Sequence, residues 1–277
     1  MGESIEAATV TVRGVDVPAL GYGTARMDDD EERRRAIGAA LEAGYRHIDT
    51  AQVYGSECAV GDALDDAEVD AEEVFVTTKL SGENCERAAV LESTRESRRM
   101  LGVDAIDLLL IHWPTEEVDT AETLRAMNEL REDGVIRHLG VSNFSVEQTR
   151  SAIEASDAPV LANQVEYHVR NRQDELLAAC LEAEVLLTAY SPLGVGDLLE
   201  ENALAEVGHR HGKSTAQVAL RWLLQQPLVS PIPMSSSPAH IRENARVFDF
   251  ELSDAEMRDL FALDGAPDAD LLERIGL

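Results

Sequence analysis

The sequence predicts an α/β fold, a closed (β/α)8 TIM barrel, on three observations. Short apolar strand candidates alternate with amphipathic helix candidates along the chain, the pattern of repeated βα units around a parallel sheet. After an opening hairpin, the strand candidates number eight. Polar, chemically capable residues recur where those strands end: Asp49, Lys79, His112, Ser142 with Asn143, Gln164, Tyr190 and Ser235. In a closed barrel these ends converge on the one face where the fold carries its chemistry, whereas in an open sheet they would be strung along a line. A chain of 277 residues suits one such barrel, so residues 1–277 are expected to form a single domain.

The elements follow in order. Residues 9–12 and 15–17 read as a β-hairpin that closes the bottom of the barrel. Strands are expected near Leu20 and at 47–49, 74–78, 106–111, 138–141, 161–165, 186–189 and 229–232. The first helix is expected at 31–43: Asp28, Asp29 and Asp30 sit at its positive end, and Arg33, Arg34 and Arg35 follow four residues after acidic partners. That charge run reads as a solvated helix face. Residues 196–226 insert extra helices before the eighth strand, and 265–277 are expected to cover part of the mouth.

Composition narrows the function classes. Net charge is -29, with Lys79 and Lys213 the only lysines, which argues against nucleic-acid binding. Self-repulsion on this scale destabilises a compact state in dilute buffer, and ~1 M salt, with a Debye length of about 3 Å, removes most of it. A salt-adapted, halophilic protein is therefore expected, the acid being spread along the chain. No apolar run approaches the ~20 residues of a bilayer span and the first residues are acidic, so a cytoplasmic location without membrane contact is expected. Cys58, Cys85 and Cys180 are odd in number and lack ligand spacing, which predicts reduced thiols and no metal. A monomer is the expected state.

Five ordered motifs carry the chemistry: Gly44-Tyr45-Arg46-His47-Ile48-Asp49-Thr50-Ala51 followed by Tyr54-Gly55-Ser56-Glu57, the strand ending at Lys79, the strand ending His112-Trp113-Pro114, Gly140-Val141-Ser142-Asn143-Phe144, and Tyr190-Ser191-Pro192-Leu193-Gly194. Over almost its whole length the chain resembles the aldo-keto reductases, in particular the prokaryotic branch similar to 2,5-diketogluconate reductase. The resemblance implies a barrel that reduces aldehydes and ketones with a nicotinamide dinucleotide.

Hydride addition to a carbonyl leaves an alkoxide, so the site needs a proton donor at that oxygen. Tyr54 is the candidate. Its ordinary pKa of ~10 is high for transfer near neutrality, and an ammonium ~4 Å away contributes about 4 kcal/mol at an effective dielectric of ~20, roughly three pKa units. Lys79 can supply that charge, Asp49 can keep it ionised, and His112 can orient the substrate oxygen. Taken singly, each has a bland reading: a helix cap, a packed aromatic, a strand-end lysine, a core histidine.

The cofactor must bind without a Rossmann fingerprint, since Gly21-Tyr22-Gly23 meets Arg26 where the third glycine belongs and Gly194-Val195-Gly196 meets Leu199. The resemblance implies instead that Ser142, Asn143 and Gln164 hold the carboxamide, that Tyr190 stacks on the nicotinamide, and that Ser191, Leu193, Gly194 and Asp197 cross the pyrophosphate. It also implies that Ser235, Ser236, His240, Arg242, Glu243 and Asn244 surround the adenosine end. Many relatives carry lysine where Met234 stands and arginine where His240 stands, both on the 2'-phosphate of NADPH. Their loss weakens that grip, so use of NADPH, NADH or both is expected, tilted toward NADH. Ala25 replaces a bulky aromatic in the substrate pocket, leaving Tyr22 and Trp113 as walls for small or extended carbonyl compounds.

Two other classes stay open. A Schiff-base lyase would use Lys79 as nucleophile, but requires a lysine without a charged partner. A catalytically idle barrel serving as a nicotinamide-binding redox sensor would be expected to have lost part of the tetrad.

Overall fold

A computed structural model describes residues 4–277. Strands β1 (Thr9–Val12) and β2 (Val15–Pro18) form the antiparallel hairpin. Eight parallel strands follow, each paired with its sequence neighbours: β3 (Tyr22–Gly23), β4 (His47–Asp49), β5 (Phe75–Leu80), β6 (Ile106–Ile111), β7 (Ile136–Ser142), β8 (Val160–Glu166), β9 (Leu186–Tyr190) and β10 (Val229–Pro231). The ring is closed by Gly21 N–H to Pro231 O at 3.0 Å and Gly23 N–H to Pro233 O at 3.1 Å. Closure needs glycine at 21, since a Cβ there would meet His47 Nδ1 at 2.6 Å and Ile232 at 2.7 Å. The hairpin seals the bottom: Val12 and Val17 pack with Leu108, Leu110, Leu161 and Leu186, and Arg13 holds the carbonyls of Ala183 and Glu184.

Helices α1 (Asp30–Glu42), α2 (Glu57–Asp65), α3 (Arg87–Leu101), α4 (Thr120–Glu132), α5 (Val146–Ala155) and α6 (Asp174–Ala183) surround the sheet. Then α7 (Asn202–His211) and α8 (Thr215–Leu224) precede β10, and α9 (Pro238–Asn244), α10 (Asp254–Phe261) and α11 (Ala269–Arg274) follow it. Every residue of β6, Ile-Asp-Leu-Leu-Leu-Ile, is buried, as a parallel strand covered on both faces requires. With few aromatics the core is mostly Leu, Val, Ile and Ala, and its aromatics gather in small groups such as the knot in which Trp222 meets Tyr167 at 5.4 Å and Phe261 at 4.8 Å between centroids.

Two expectations are corrected. Asp29 does cap α1, accepting from Glu32 N–H at 2.8 Å, but Arg33 is only 9% exposed. Its guanidinium bonds Asp30 at 2.6 Å and the carbonyl of Tyr54 at 3.0 Å, so this one residue of the charge run is tied to the loop after β4 while Arg34 and Arg35 stay exposed as expected. Residues 265–277 do not cover the mouth. Arg172 grips the carbonyls of Phe261, Gly265 and Ala266, and α11 packs on α6 with Leu271 buried. Among the described residues no helix is long and apolar enough to cross a membrane.

Candidate active site

Asp49 lies opposite Thr77 in the β4–β5 register, and Lys79 is two residues on, so alternation turns all three toward the barrel interior. Lys79 Nζ donates to Asp49 Oδ1 at 2.5 Å and to the Thr50 carbonyl at 2.8 Å. Gln164, on β8 across the barrel, donates to Asp49 Oδ2 at 2.7 Å, a contact that only a closed sheet allows. Burial pulls the Lys79 ammonium below its usual range, and Asp49 opposes the pull. The amine is fully buried and does not line the cavity above, so it is unavailable to form a Schiff base.

The backbone beneath this pair is held by buried hydroxyls. Thr24 donates to the Asp49 carbonyl at 3.0 Å through both its N–H and its Oγ1, and Thr50 Oγ1 and Ser56 Oγ lie 2.6 Å apart. One layer down, His47 Nε2 meets Thr77 Oγ1 at 3.0 Å, and burial pushes its imidazole down to about 4.

Tyr54 ends a short 3-10 turn, Gln52–Tyr54, which Gly55 terminates in the left-handed conformation at φ 62°. Gln52 Oε1 accepts from Ser81 N–H and from Asn84 Nδ2, each at 2.9 Å, fixing the turn to the end of β5. Lys79 Nζ lies 5.2 Å from the centroid of the Tyr54 ring, which meets His112 edge-on at 5.6 Å. The phenol is not acidified as the sequence suggested. Burial, and after it the Asp49 carboxylate, raise its pKa, and Arg26 opposes them. His112 is pushed down to about 4 by burial and then by Lys79, so its imidazole is neutral near pH 7.

A second network forms the opposite wall. Ser142 Oγ donates to the Gln164 carbonyl at 2.9 Å, Asn143 Nδ2 to the His112 carbonyl at 2.9 Å, and Tyr190 OH to Asn143 Oδ1 at 2.9 Å. Asn143 thereby ties the backbone of His112 to the ring of Tyr190. These groups open onto a cavity of about 820 Å³ that also takes in Ala25, Trp113, Ser191, Leu193, Met234, Ser235, His240, Glu243 and Asn244. Of the seven non-glycine residues at positive φ among the described residues, four (Arg26, Asn143, Ser191 and Val195) line it, as stored backbone strain does at functional sites.

Other sequence candidates fall elsewhere. Tyr22 is no pocket wall: it is buried, edge-on to Tyr45, and donates its hydroxyl to the Ser235 carbonyl at 2.7 Å. Arg242 turns away to Glu42 on α1 at 3.6 Å, because the helical period gives the cavity face of α9 to His240, Glu243 and Asn244. Gly194, Asp197 and Ser236 stand in the surrounding loops without lining the cavity.

The sequence reading missed Arg26, which lines the mouth, and Arg33, which holds Tyr54. It also missed Val195 and Leu199, which with Trp113 and neighbouring Val53 are the exposed large hydrophobic residues among the described residues. Ser214, Thr215 and Ala216 at the start of α8 line the far end, and their capping box with Gln217 was legible as Ser-x-x-Gln.

The cavity suits a dinucleotide together with a small substrate: its volume lies within the ~300–1,000 Å³ of ligand pockets. It also offers the tethered ring of Tyr190, residues 191–193 with 195 and 196, and the first turn of α8, where helix N–H groups favour phosphate. Among the described residues no group of three or more His, Cys, Asp or Glu could hold a metal.

A buried charge pair beneath a phenol and an imidazole, at the C-terminal mouth of a (β/α)8 barrel, defines the class as a barrel enzyme. Residues 19–264 match the group described as "Aldo/keto reductase family". The chain is 39% identical over 250 residues to the glyoxal reductase of Bacillus subtilis (strain 168), covering 90% of each. A solved structure provisionally described as 2,5-diketo-D-gluconic acid reductase B is 42% identical with a TM-score of 0.90, covering 92% of this chain and 91% of its own. An aldo-keto reductase of Bombyx mori solved in complex with NADP is 33% identical with a TM-score of 0.86, covering 92% of each chain. The chain belongs to the aldo/keto reductase family, and it is an NAD(P)H-dependent oxidoreductase acting on carbonyl compounds.

Proposed function

We propose that this protein reduces small aldehydes, dicarbonyls and sugar-derived carbonyl compounds, with Tyr54 handing its proton to the carbonyl oxygen. The observation that carries this reading is the Asp49–Lys79 pair buried beneath Tyr54 and shared with Gln164 from across the barrel. When bound, the nicotinamide supplies the hydride. Tyr54 stays protonated until the oxygen gains charge. Its raised pKa is no obstacle, since an alkoxide is a far stronger base than a phenolate and takes the proton readily. Neutral His112 donates to the same oxygen and orients it, and Lys79 stabilises the phenolate as it forms, held in place by Asp49 and the Thr50 carbonyl.

Tyr190, tethered through Asn143, would form the stacking face for the nicotinamide, with Ser142 and Gln164 at its carboxamide. At the adenosine end Met234 and His240 replace the cationic grips, Arg242 faces α1, and Glu243 presents a carboxylate to the cavity. These features favour NADH, or use of both cofactors, over strict NADPH dependence. The net charge of -29 supports activity in a high-salt cytoplasm.

The test is a panel of glyoxal, methylglyoxal, 2,5-diketogluconate and aromatic aldehydes with NADH and NADPH in molar KCl. Oxidation of either cofactor with at least one carbonyl is expected. No turnover of any, with the cofactor bound, would refute the reading.

A further inference from the structure

Tyr54 is carried by the three-residue turn Gln52–Tyr54, so the placing of its hydroxyl depends on what fixes that turn. The start is fixed by Gln52, which accepts from Ser81 N–H and Asn84 Nδ2 and donates through Nε2 to Ser97 Oγ at 3.2 Å. Val53 in the middle is 58% exposed. The end is held by Arg33, whose Nη2 donates to the Tyr54 carbonyl at 3.0 Å, and no backbone N–H among the described residues donates to that oxygen. Arg33 comes from α1, where Arg34 and Arg35 beside it stay exposed while it is buried. Its Nη1 meets Asp30 on the outer side, and the Asp30 side chain is 75% exposed, so the guanidinium runs inward from a surface carboxylate to the turn. Its Nε is buried without a partner. A surface ion pair needs no such arrangement: left in water, every N–H of the guanidinium would be satisfied, and burying one unmet costs stability.

We propose that Arg33 is a positioning residue for carbonyl reduction: by holding the carbonyl of Tyr54 it sets where the phenol hydroxyl stands beside His112. This rests on the reading of Tyr54 as the proton donor and adds to it a residue outside the site. Arg33 does not line the cavity, so it meets neither substrate nor cofactor and its effect passes through Tyr54. The hydroxyl lies at the far end of the side chain from the held carbonyl, and a small rotation of the turn becomes a larger displacement there. A misplacement of ~1 Å at a reacting group costs up to ~100-fold in rate. Gln52 and Arg33 thus act as two pins, one on each side of the exposed Val53, and the ring contact with His112 completes the placement.

The experiment measures single-turnover rates, at saturating reduced cofactor and a reactive aldehyde in molar KCl, for the wild type, Arg33→Met, Tyr54→Phe and the double variant, with Tm recorded for each. Arg33→Met is expected to be about 10-fold slower than the wild type, with the dissociation constant of the cofactor within about 2-fold by fluorescence quenching. In the Tyr54→Phe background the same change is expected to cost less than about 2-fold, because no hydroxyl remains to be placed, whereas the fall in Tm should be alike in both backgrounds. Arg33→Gln is read by the same criteria should Arg33→Met fail to fold. A rate for Arg33→Met within about 2-fold of the wild type overturns the proposal. So does an equal fold-loss with and without the Tyr54 hydroxyl, since Arg33 then serves the packing of the barrel and not the donor. A Tyr54→Phe variant with the wild-type rate removes the proton-donor reading itself, an outcome distinct from a slow Tyr54→Phe beside an unaffected Arg33→Met.

Discussion

Removing one partner from the Asp49–Lys79 pair leaves the other charged and buried. Asp49 accepts from Lys79 at 2.5 Å and from Gln164 at 2.7 Å, and both ionic side chains are almost wholly inaccessible. Breaking a buried pair from one side costs about 3–5 kcal/mol, whereas removing both charges together is close to neutral. Asp49→Asn should therefore destabilise by about 3–5 kcal/mol, which at ~2 °C per kcal/mol for a large domain lowers Tm by roughly 6–10 °C. Lys79→Met should cost less than Asp49→Asn, because Gln164 still serves the abandoned carboxylate. The double variant should be more stable than the sum of the singles by at least ~1 kcal/mol. Urea denaturation of all four proteins in molar KCl closes the cycle. Single losses below ~1 kcal/mol, or strict additivity, would refute the picture of a buried, mutually dependent pair.

The pH dependence of stability follows from His47. Its folded pKa of about 4 lies below the ordinary ~6.5, so the unfolded chain takes up the proton first. The contribution is whole above about pH 6.5 and is lost as pH falls toward 4, at a cost of about 3 kcal/mol. His47→Gln should shrink the stability difference between pH 7 and 4.5 by about 2–3 kcal/mol in urea titrations, and an unchanged difference would contradict the assignment. Met234→Lys combined with His240→Arg should raise kcat/KM for NADPH over NADH by ~10- to 1000-fold, and a wild type already strict for NADPH would contradict the adenosine-end reading. In dilute buffer Tm should lie well below its value in molar KCl, and a melting curve indifferent to salt would remove the case for salt adaptation.

Much of the barrel was legible because its strands are buried on both faces and read as apolar runs. The runs ending at Lys79 and His112 place β5 and β6 to within a residue or two, and α1 begins one residue before its expected start. Asp49, Tyr54 and His112 could be seen at the cavity because strand ends converge once the sheet closes. What escaped depended on direction or on distant partners. Tyr22 looked like a wall because its buried side is fixed by Tyr45 and by Ser235, which is 213 residues away. Arg242 could have been excluded by helical period alone, since His240, Glu243 and Asn244 define the other face of α9. Arg33 read as one more surface charge because its partner, the Tyr54 carbonyl, is a backbone atom of another loop. The acidified phenol was expected from the ammonium of Lys79, but burial of the hydroxyl, with the Asp49 carboxylate adding to it, shifts its pKa the other way.

The most direct measurement is the single-turnover rate of Tyr54→Phe with reduced cofactor and a reactive aldehyde in molar KCl. The ring and its edge contact with His112 are kept and only the hydroxyl is removed. The account predicts a rate lower by about 100-fold or more, with the dissociation constant of the cofactor within about 2-fold of wild type. A variant that keeps more than roughly a tenth of the rate would show that the proton comes from elsewhere.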